Sequence, residues 1–198
     1  MGLSDTPERK ALHQLRNITA ALVLGLVLAA CEQPASAPEI PPAAKCVPGG
    51  ELTGSVYGSY EGQLDWRGSE LVCEGMQRPH GQGARLRFEG PATGDSSADR
   101  LAFIIALPDL AEARAARELP AGVTLMEVNA GRFFSNQEQN GCWADVDGQE
   151  PIGDTDPQHY RIRGLLYCVS PLAEVNGSGS VTLRDLRFTG KLDWSEPE

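Results

Sequence analysis

Leu101-Ala102-Phe103-Ile104-Ile105-Ala106-Leu107 is the most continuous apolar run after residue 46. Seven residues are too few for a stable buried helix, and the run has the length of a strand. It therefore reads as a central strand buried on both faces. Outward from it, apolar and polar residues alternate. Ala84-Arg85-Leu86-Arg87-Phe88 lies before it, and Val123 to Val128 lies after it. Farther out, the alternating runs are Leu52 to Val56, Tyr60 to Trp66, Leu71 to Met76, Tyr160 to Cys168, Val181 to Arg184 and Leu186 to Trp194. Glycine-rich turns separate them. Period-2 runs punctuated in this way predict an all-β chain, a single β-sandwich or jelly-roll-like domain of about nine strands over residues 46–198. The segment Asp109 to Leu119, rich in Ala, Glu and Arg and stopped by Pro120, predicts one short helix crossing between two strands.

One pattern recurs. Tyr60-Glu61-Gly62-Gln63-Leu64-Asp65-Trp66 and Phe188-Thr189-Gly190-Lys191-Leu192-Asp193-Trp194 share aromatic-x-Gly-x-Leu-Asp-Trp, which puts aromatic, Gly, Leu and Trp on one strand face. Nothing between the copies repeats, so two strands meeting similar packing demands is the preferred reading over a duplicated half-domain.

The 198 residues carry 17 basic and 27 acidic side chains, a net charge of −10. A nucleic-acid binder needs a basic footprint to meet phosphate, so that class is excluded. Three histidines are too few to favour a histidine-built metal centre. No apolar stretch reaches the roughly 20 residues of a membrane-spanning helix.

Residues 1–30 read as a targeting segment. Arg9, Lys10 and Arg16 precede the apolar run Ile18 to Ala30, and small residues close it. The string Leu28-Ala29-Ala30-Cys31 resembles the lipobox of bacterial lipoproteins. That resemblance implies cleavage before Cys31, acylation of Cys31, and a mature protein held to the bacterial envelope by its lipid. Several acyl chains anchor stably, because each buried methylene adds about 0.8 kcal/mol. Glu32, standing where an inner-membrane retention aspartate would stand, points toward the outer membrane, facing the periplasm. Residues 31–45 form a Pro/Ala-rich tether with Pro34, Pro38, Pro41 and Pro42. In polyproline II geometry it spans roughly 40 Å.

With Cys31 assigned to lipid, Cys46, Cys73, Cys142 and Cys168 remain, an even number that predicts two disulfides in an exported domain. The expected pairing is Cys46–Cys73 and Cys142–Cys168, each closure stabilising by about 3 kcal/mol through the unfolded chain. Trp143 is expected to pack on the second bridge. No CxxC spacing supports a redox or zinc role.

Three constellations carry candidate chemistry. The arginine pairs Arg85/Arg87, Arg161/Arg163 and Arg184/Arg187 sit on predicted strands. Within the first two pairs a spacing of two places both guanidinium groups on one face. If those strands were neighbours, the result would be a basic strip able to grip carboxylates or phosphates bidentately, on a partner or an anionic ligand. The alternative is a solvated sheet face balanced by acids such as Glu89 and Asp185. The acid-rich stretch Asp145, Asp147, Glu150, Asp154 and Asp156 reads as a loop with calcium-type oxygen ligands, though it lacks an EF-hand pattern. His80, in a glycine-rich connection, is the candidate for a hydrolase, with Glu74 and Asp65 or Asp193 as partner carboxylates. No GxSxG or related nucleophile motif supports it. The expectation is therefore a lipid-anchored, periplasm-facing binding or structural module rather than an enzyme. It needs no cofactor beyond the lipid, with calcium as the alternative, and its partners are the membrane and an envelope protein or anionic ligand.

Overall fold

The computed structural model describes residues 46–79, 82–94, 96, 98–136, 141–153 and 158–195. These form twelve strands: β1 Glu51–Gly58, β2 Gly62–Arg67, β3 Val72–Gln77, β4 Ala84–Pro91, β5 Arg100–Leu107, β6 Ala116–Pro120, β7 Gly122–Glu127, β8 Arg132–Ser135, β9 Cys142–Pro151, β10 His159–Cys168, β11 Leu172–Glu174 and β12 Ser180–Asp193. Helix among the described residues is limited to 3-10 turns, of which Gly68–Glu70 is one. All twelve strands belong to one hydrogen-bonded sheet in the order β11-β8-β7-β5-β4-β3-β12-β10-β9-β6, with β1 joining β12 to β2. Because β11 also pairs with β12, the path from β11 round to β12 closes on itself. Neighbours run antiparallel except β3 and β12, which meet in parallel at Met76 and Asp193.

The count differs from nine for a physical reason. Val181–Arg184 and Leu186–Trp194 are not two strands but the two limbs of β12. A bulge at Asp185, with φ of 52°, bends that strand while pairing continues. Opposite the bulge, the β1 register shifts between Thr53 and Ser55 around Gly54 (φ 155°). Four short or polar-faced strands, β6, β8, β9 and β11, add the rest.

The expected helix is absent. Ala113 and Glu118 adopt φ of 54° and 53°, which no right-handed helix tolerates. The Gln149 side-chain amide donates to the carbonyls of Ala111 and Arg114 at 2.8 and 2.9 Å, fixing a turn instead. The residues that follow pair with β9 as β6.

β5 lies between β4 and β7. Leu101, Phe103, Ile105 and Leu107 are fully enclosed on one face. On the other, Ala102 is buried while Ile104 and Ala106 are only half covered, so the strand is closed on one face rather than both. Facing layers meet through rings: Trp66 on β2 with Phe103 on β5, and Phe88 on β4 with Phe188 on β12, each at 5.8 Å. Such pairs contribute about 0.5–1.5 kcal/mol beyond area burial. Glycines make room for them. A Cβ at Gly90 would overlap the Trp66 indole, and one at Gly190 would stand 2.7 Å from the Phe88 ring.

The repeated pattern fits this packing. Its two copies end up on β2 and β12, the two neighbours of β1, and Leu52 pairs with Trp66 on one side and Phe188 on the other. The cysteines join as Cys46–Cys73 and Cys142–Cys168. The first ties the segment ahead of β1 to β3. The second crosslinks directly opposed residues of β9 and β10.

Candidate functional site

The predicted basic strip does not assemble as expected. Phe88 points inward onto Phe188, so Arg85 and Arg87, of opposite parity, point outward from β4. Arg161 and Arg163 stand opposite Lys191 and Thr189, which are of opposite parity to Phe188, and point outward from β10. The layers face each other, so the two arginine pairs lie on opposite outer surfaces. On the β4 side the charge is neutralised. Arg87 pairs with Glu89 and lies 3.4 Å from Glu74, and Arg100 reaches Glu89 at 2.6 Å. Arg85 is exposed there without an ion pair among the described residues.

The β12–β10 surface is different. The bulge at Asp185 restores Arg184 and Arg187 to the same outer face, although a spacing of three would otherwise separate them. Arg184 lies over the Tyr57 ring at 5.3 Å. Arg187, Thr189 and Lys191 follow at alternate positions along β12. Lys191, which the sequence reading passed over, stands directly across from Arg161. Arg163 is bound by Glu150 at 2.7 Å. Arg161 donates from Nη2 to the Pro48 carbonyl at 2.9 Å, while its buried Nε has no hydrogen-bond partner. Among the described residues, neither Arg187 nor Lys191 has an acid within ion-pair distance. Like charges directly opposite on neighbouring strands are destabilising. The face therefore holds four cations, Arg161, Arg163, Arg187 and Lys191, and three acids: Glu150, which binds Arg163, Asp193, which meets His159, and Glu51, which stands across from Thr189 on β1 and binds Arg67.

The acid-rich stretch is a strand, not a loop. Cys142, Ala144 and Val146 point inward along β9, and Asp145 points outward. Arg117 bridges Asp145 and Asp147 at 3.4 and 3.0 Å. Glu150, three residues on, is engaged by Arg163 on β10. No group of three or more His, Cys, Asp or Glu side chains set to hold a metal occurs among the described residues. Asp154 and Asp156 lie outside the described residues, as do His80 and Cys31. Of the other carboxylates proposed for catalysis, Asp65 binds Arg67, Glu74 binds Arg87 and Asp193 meets His159 at 3.2 Å, each on its own strand.

Trp143 does not pack on the disulfide beside it. It points to the outer face and stacks on Tyr167, its cross-strand partner, with centroids 6.1 Å apart and planes 22° apart. Together with Glu118 and Val169 the two rings line a cleft of about 400 Å³. Burial, then the Asp145 and Glu118 carboxylates, push the Tyr167 hydroxyl above its ordinary pKa. The alternation Cys142-Ala144-Val146 against Trp143-Asp145 was the available signal for this strand.

A fourth cluster is buried. Glu127, with a fully enclosed side chain, receives Ser96 Oγ at 3.3 Å and Arg132 Nη1 at 3.4 Å. Arg132 also binds Glu174 at 2.9 Å and lies 4.9 Å over the Phe134 ring. Its hydrogen bond, with a second from the Gly179 amide, holds the Glu174 carboxyl below the usual range. Tyr60 packs edge-on against Phe134. Its hydroxyl is buried without a hydrogen-bond partner, and burial followed by the Glu127 charge pushes its pKa up. This cluster ties β7, β8 and β11 together.

No protein-family model, no curated protein and no solved structure matches the chain.

Proposed function

We propose that this chain is a lipid-anchored, periplasm-facing binding module of the bacterial envelope, which takes up an anionic group on the outer face of β12 and β10. The observation that carries the reading is the cation pair Lys191 and Arg161, set directly across from each other, neither in an ion pair among the described residues, and flanked by Arg163 and Arg187 in a chain of net charge −10. A surface kept only for solubility would alternate its charges, as the β4 face does. Phosphate and carboxylate suit this face, because two adjacent strands bring guanidinium groups and the Lys191 ammonium toward one anion whose paired oxygens can accept from an arginine fork. The architecture we assign to the module is a β-sandwich of the jelly-roll kind. The ring contacts between β2 and β5 and between β4 and β12 support it. The anchor is the acylated Cys31, placed in the outer membrane.

The test uses the full chain in a diderm host, with a photo-crosslinking residue introduced in turn at Thr182 on the basic face and at Arg85 on the opposite one. Adducts are expected from Thr182 and not from Arg85. They should disappear in Arg161→Glu/Lys191→Glu and persist in Arg87→Gln. Equal adducts from both faces, or Thr182 adducts that survive the double reversal, would exclude the anion-binding face. Separately, Cys31→Ser should move the protein from the membrane to the soluble fraction, and retention in the membrane would exclude the anchor.

A further inference from the structure

We infer that the cleft lined by Trp143, Tyr167, Glu118 and Val169 binds a neutral pyranose ring of a glycan chain. This site is distinct from the basic face and does not depend on it. Its floor is the Trp143–Tyr167 pair, two rings stacked across adjacent strands that form an apolar shelf, each ring turning one face to the other and leaving its outer face open to a ligand. Val169, 71% exposed, extends the shelf past the end of β10. Over the shelf stands Glu118, placed there by a local distortion. The β6–β9 register slips between Ala116 and Leu119, and Glu118 sits at φ 53°, a conformation disfavoured for a residue with a long side chain. Its backbone is held in that state by a 2.8 Å hydrogen bond from its amide to Asp145 Oδ1, and Arg117 in turn clamps Asp145 and Asp147. The Glu118 carboxylate makes no ion pair among the described residues. Strain that places an acid with no ion pair beside a half-buried aromatic pair in a cleft points to a ligand.

The chemistry of the lining selects the ligand class. A pyranose offers an apolar C–H face to stack on the rings and hydroxyls at its rim to donate to a carboxylate. The volume, about 400 Å³, lies in the range of small-molecule sites. Nucleotides fit the shelf but bring phosphate against Glu118, Asp145 and Asp147. An apolar peptide side chain would bury the Glu118 carboxylate with no donor to meet it. A quaternary ammonium ion asks for rings closing around it as a cage, whereas these two lie 22° from parallel.

The experiment titrates the full chain with maltohexaose and with the N-acetylglucosamine hexamer, read by calorimetry, with choline run alongside. Saturable binding of at least one oligosaccharide is expected, with Kd of about 0.1–1 mM. Trp143→Ala should weaken it at least tenfold. Glu118→Gln, which removes an exposed charge and threatens no packing, should weaken it about threefold or more, the loss of a charge-assisted hydrogen bond. Failure of both sugars to bind up to about ten times the upper Kd, unchanged affinity in Glu118→Gln, or binding of choline in their place would each overturn the assignment.

Discussion

Arg132→Gln is expected to destabilise the protein by about 1.5–3 kcal/mol, a figure that follows from what surrounds Glu127. The Glu127 side chain is wholly enclosed, and Arg132 is the cation that faces it. Removing one member of a dry ion pair costs about 3–5 kcal/mol, because the other charge stays buried. Here the guanidinium is 36% exposed and the contact is 3.4 Å, so solvent screens part of the interaction. That lowers the pair's share to about 1–2 kcal/mol. Loss of the guanidinium from the Phe134 ring adds roughly 0.5–1 kcal/mol. For a chain of this length the sum corresponds to a Tm drop of about 3–12 °C. Urea unfolding followed by tryptophan fluorescence measures it. The control is Arg67→Gln, whose pairs with Glu51 and Asp65 lie at 3.3 and 2.8 Å in solvent. Exposed pairs of that kind are worth about 0.5 kcal/mol. The double variant Arg132→Gln/Glu127→Gln should recover at least about 1 kcal/mol relative to additivity, since the stranded charge is gone. An Arg132→Gln variant no less stable than Arg67→Gln would refute the claim that Glu127 depends on this arginine.

Other consequences can be measured on the same footing. Gly90→Ala pushes a methyl group into the Trp66 indole and should cost about 1–3 kcal/mol, whereas Gly148→Ala meets open space and should be neutral or mildly stabilising in the same unfolding assay. Replacing either cysteine pair by alanine should cost about 3 kcal/mol, and the two losses should match, because the closed loops span 27 and 26 residues. Glu174 is held below its ordinary value of 4.5, first by Arg132 and then by the Gly179 amide. Asp193 is held below 3.8 against the opposing effect of burial, by hydrogen bonds from Ser195 and by the His159 and Lys191 charges. Both hold protons less tightly folded than unfolded. Their stabilisation is complete above those ordinary values and disappears as pH falls through the lowered ones. A Tm profile should therefore bend downward below about pH 4.5, and Glu174→Gln should flatten the bend; an unchanged profile would contradict the Arg132–Glu174 assignment.

Period-2 alternation was enough to locate most of the strands, because one face of each is buried and the code for that is simple. It failed where a polar face or a bulge interrupted the count. Asp185 split β12 in two because Leu183 and Leu186 are three apart, which no regular strand allows. Asp109 to Leu119 has helical composition, and its conversion to a turn and β6 comes from β9 and Gln149, which no local window contains. β9 carried its alternation openly in Cys142, Ala144 and Val146, but its acids and Gly148 drew the eye to a loop. The even cysteine count called for two bridges, but it allows three pairings, and only the fold, by bringing Cys46 to Cys73 and Cys142 to Cys168, selects the sequential one. The basic face was only half legible. Parity assigns Arg161 and Arg163 to one side of a strand, yet which side of the molecule that strand faces depends on the order of the sheet. Lys191 and the re-aligned Arg184 entered only through the register and the bulge. The aromatic cleft needed three strands to be brought together.

The Cys46–Cys73 bridge has a mechanical consequence. β1 is the first strand of the domain, paired with β12 and β2 and anchored in the core by Leu52 and Val56, and tension from residues ahead of it would ordinarily open its ladder bonds one at a time, like a zip. The disulfide places a covalent stop before that zip. A pull arriving at Cys46 is shared with β3, which is hydrogen-bonded along its length to β4 and buried at Cys73. Force then acts across several strands in shear rather than peeling one. Under a reducing agent the same pull would find β1 undefended, so resistance to stretching, more than resistance to heat, is the property this bridge should govern.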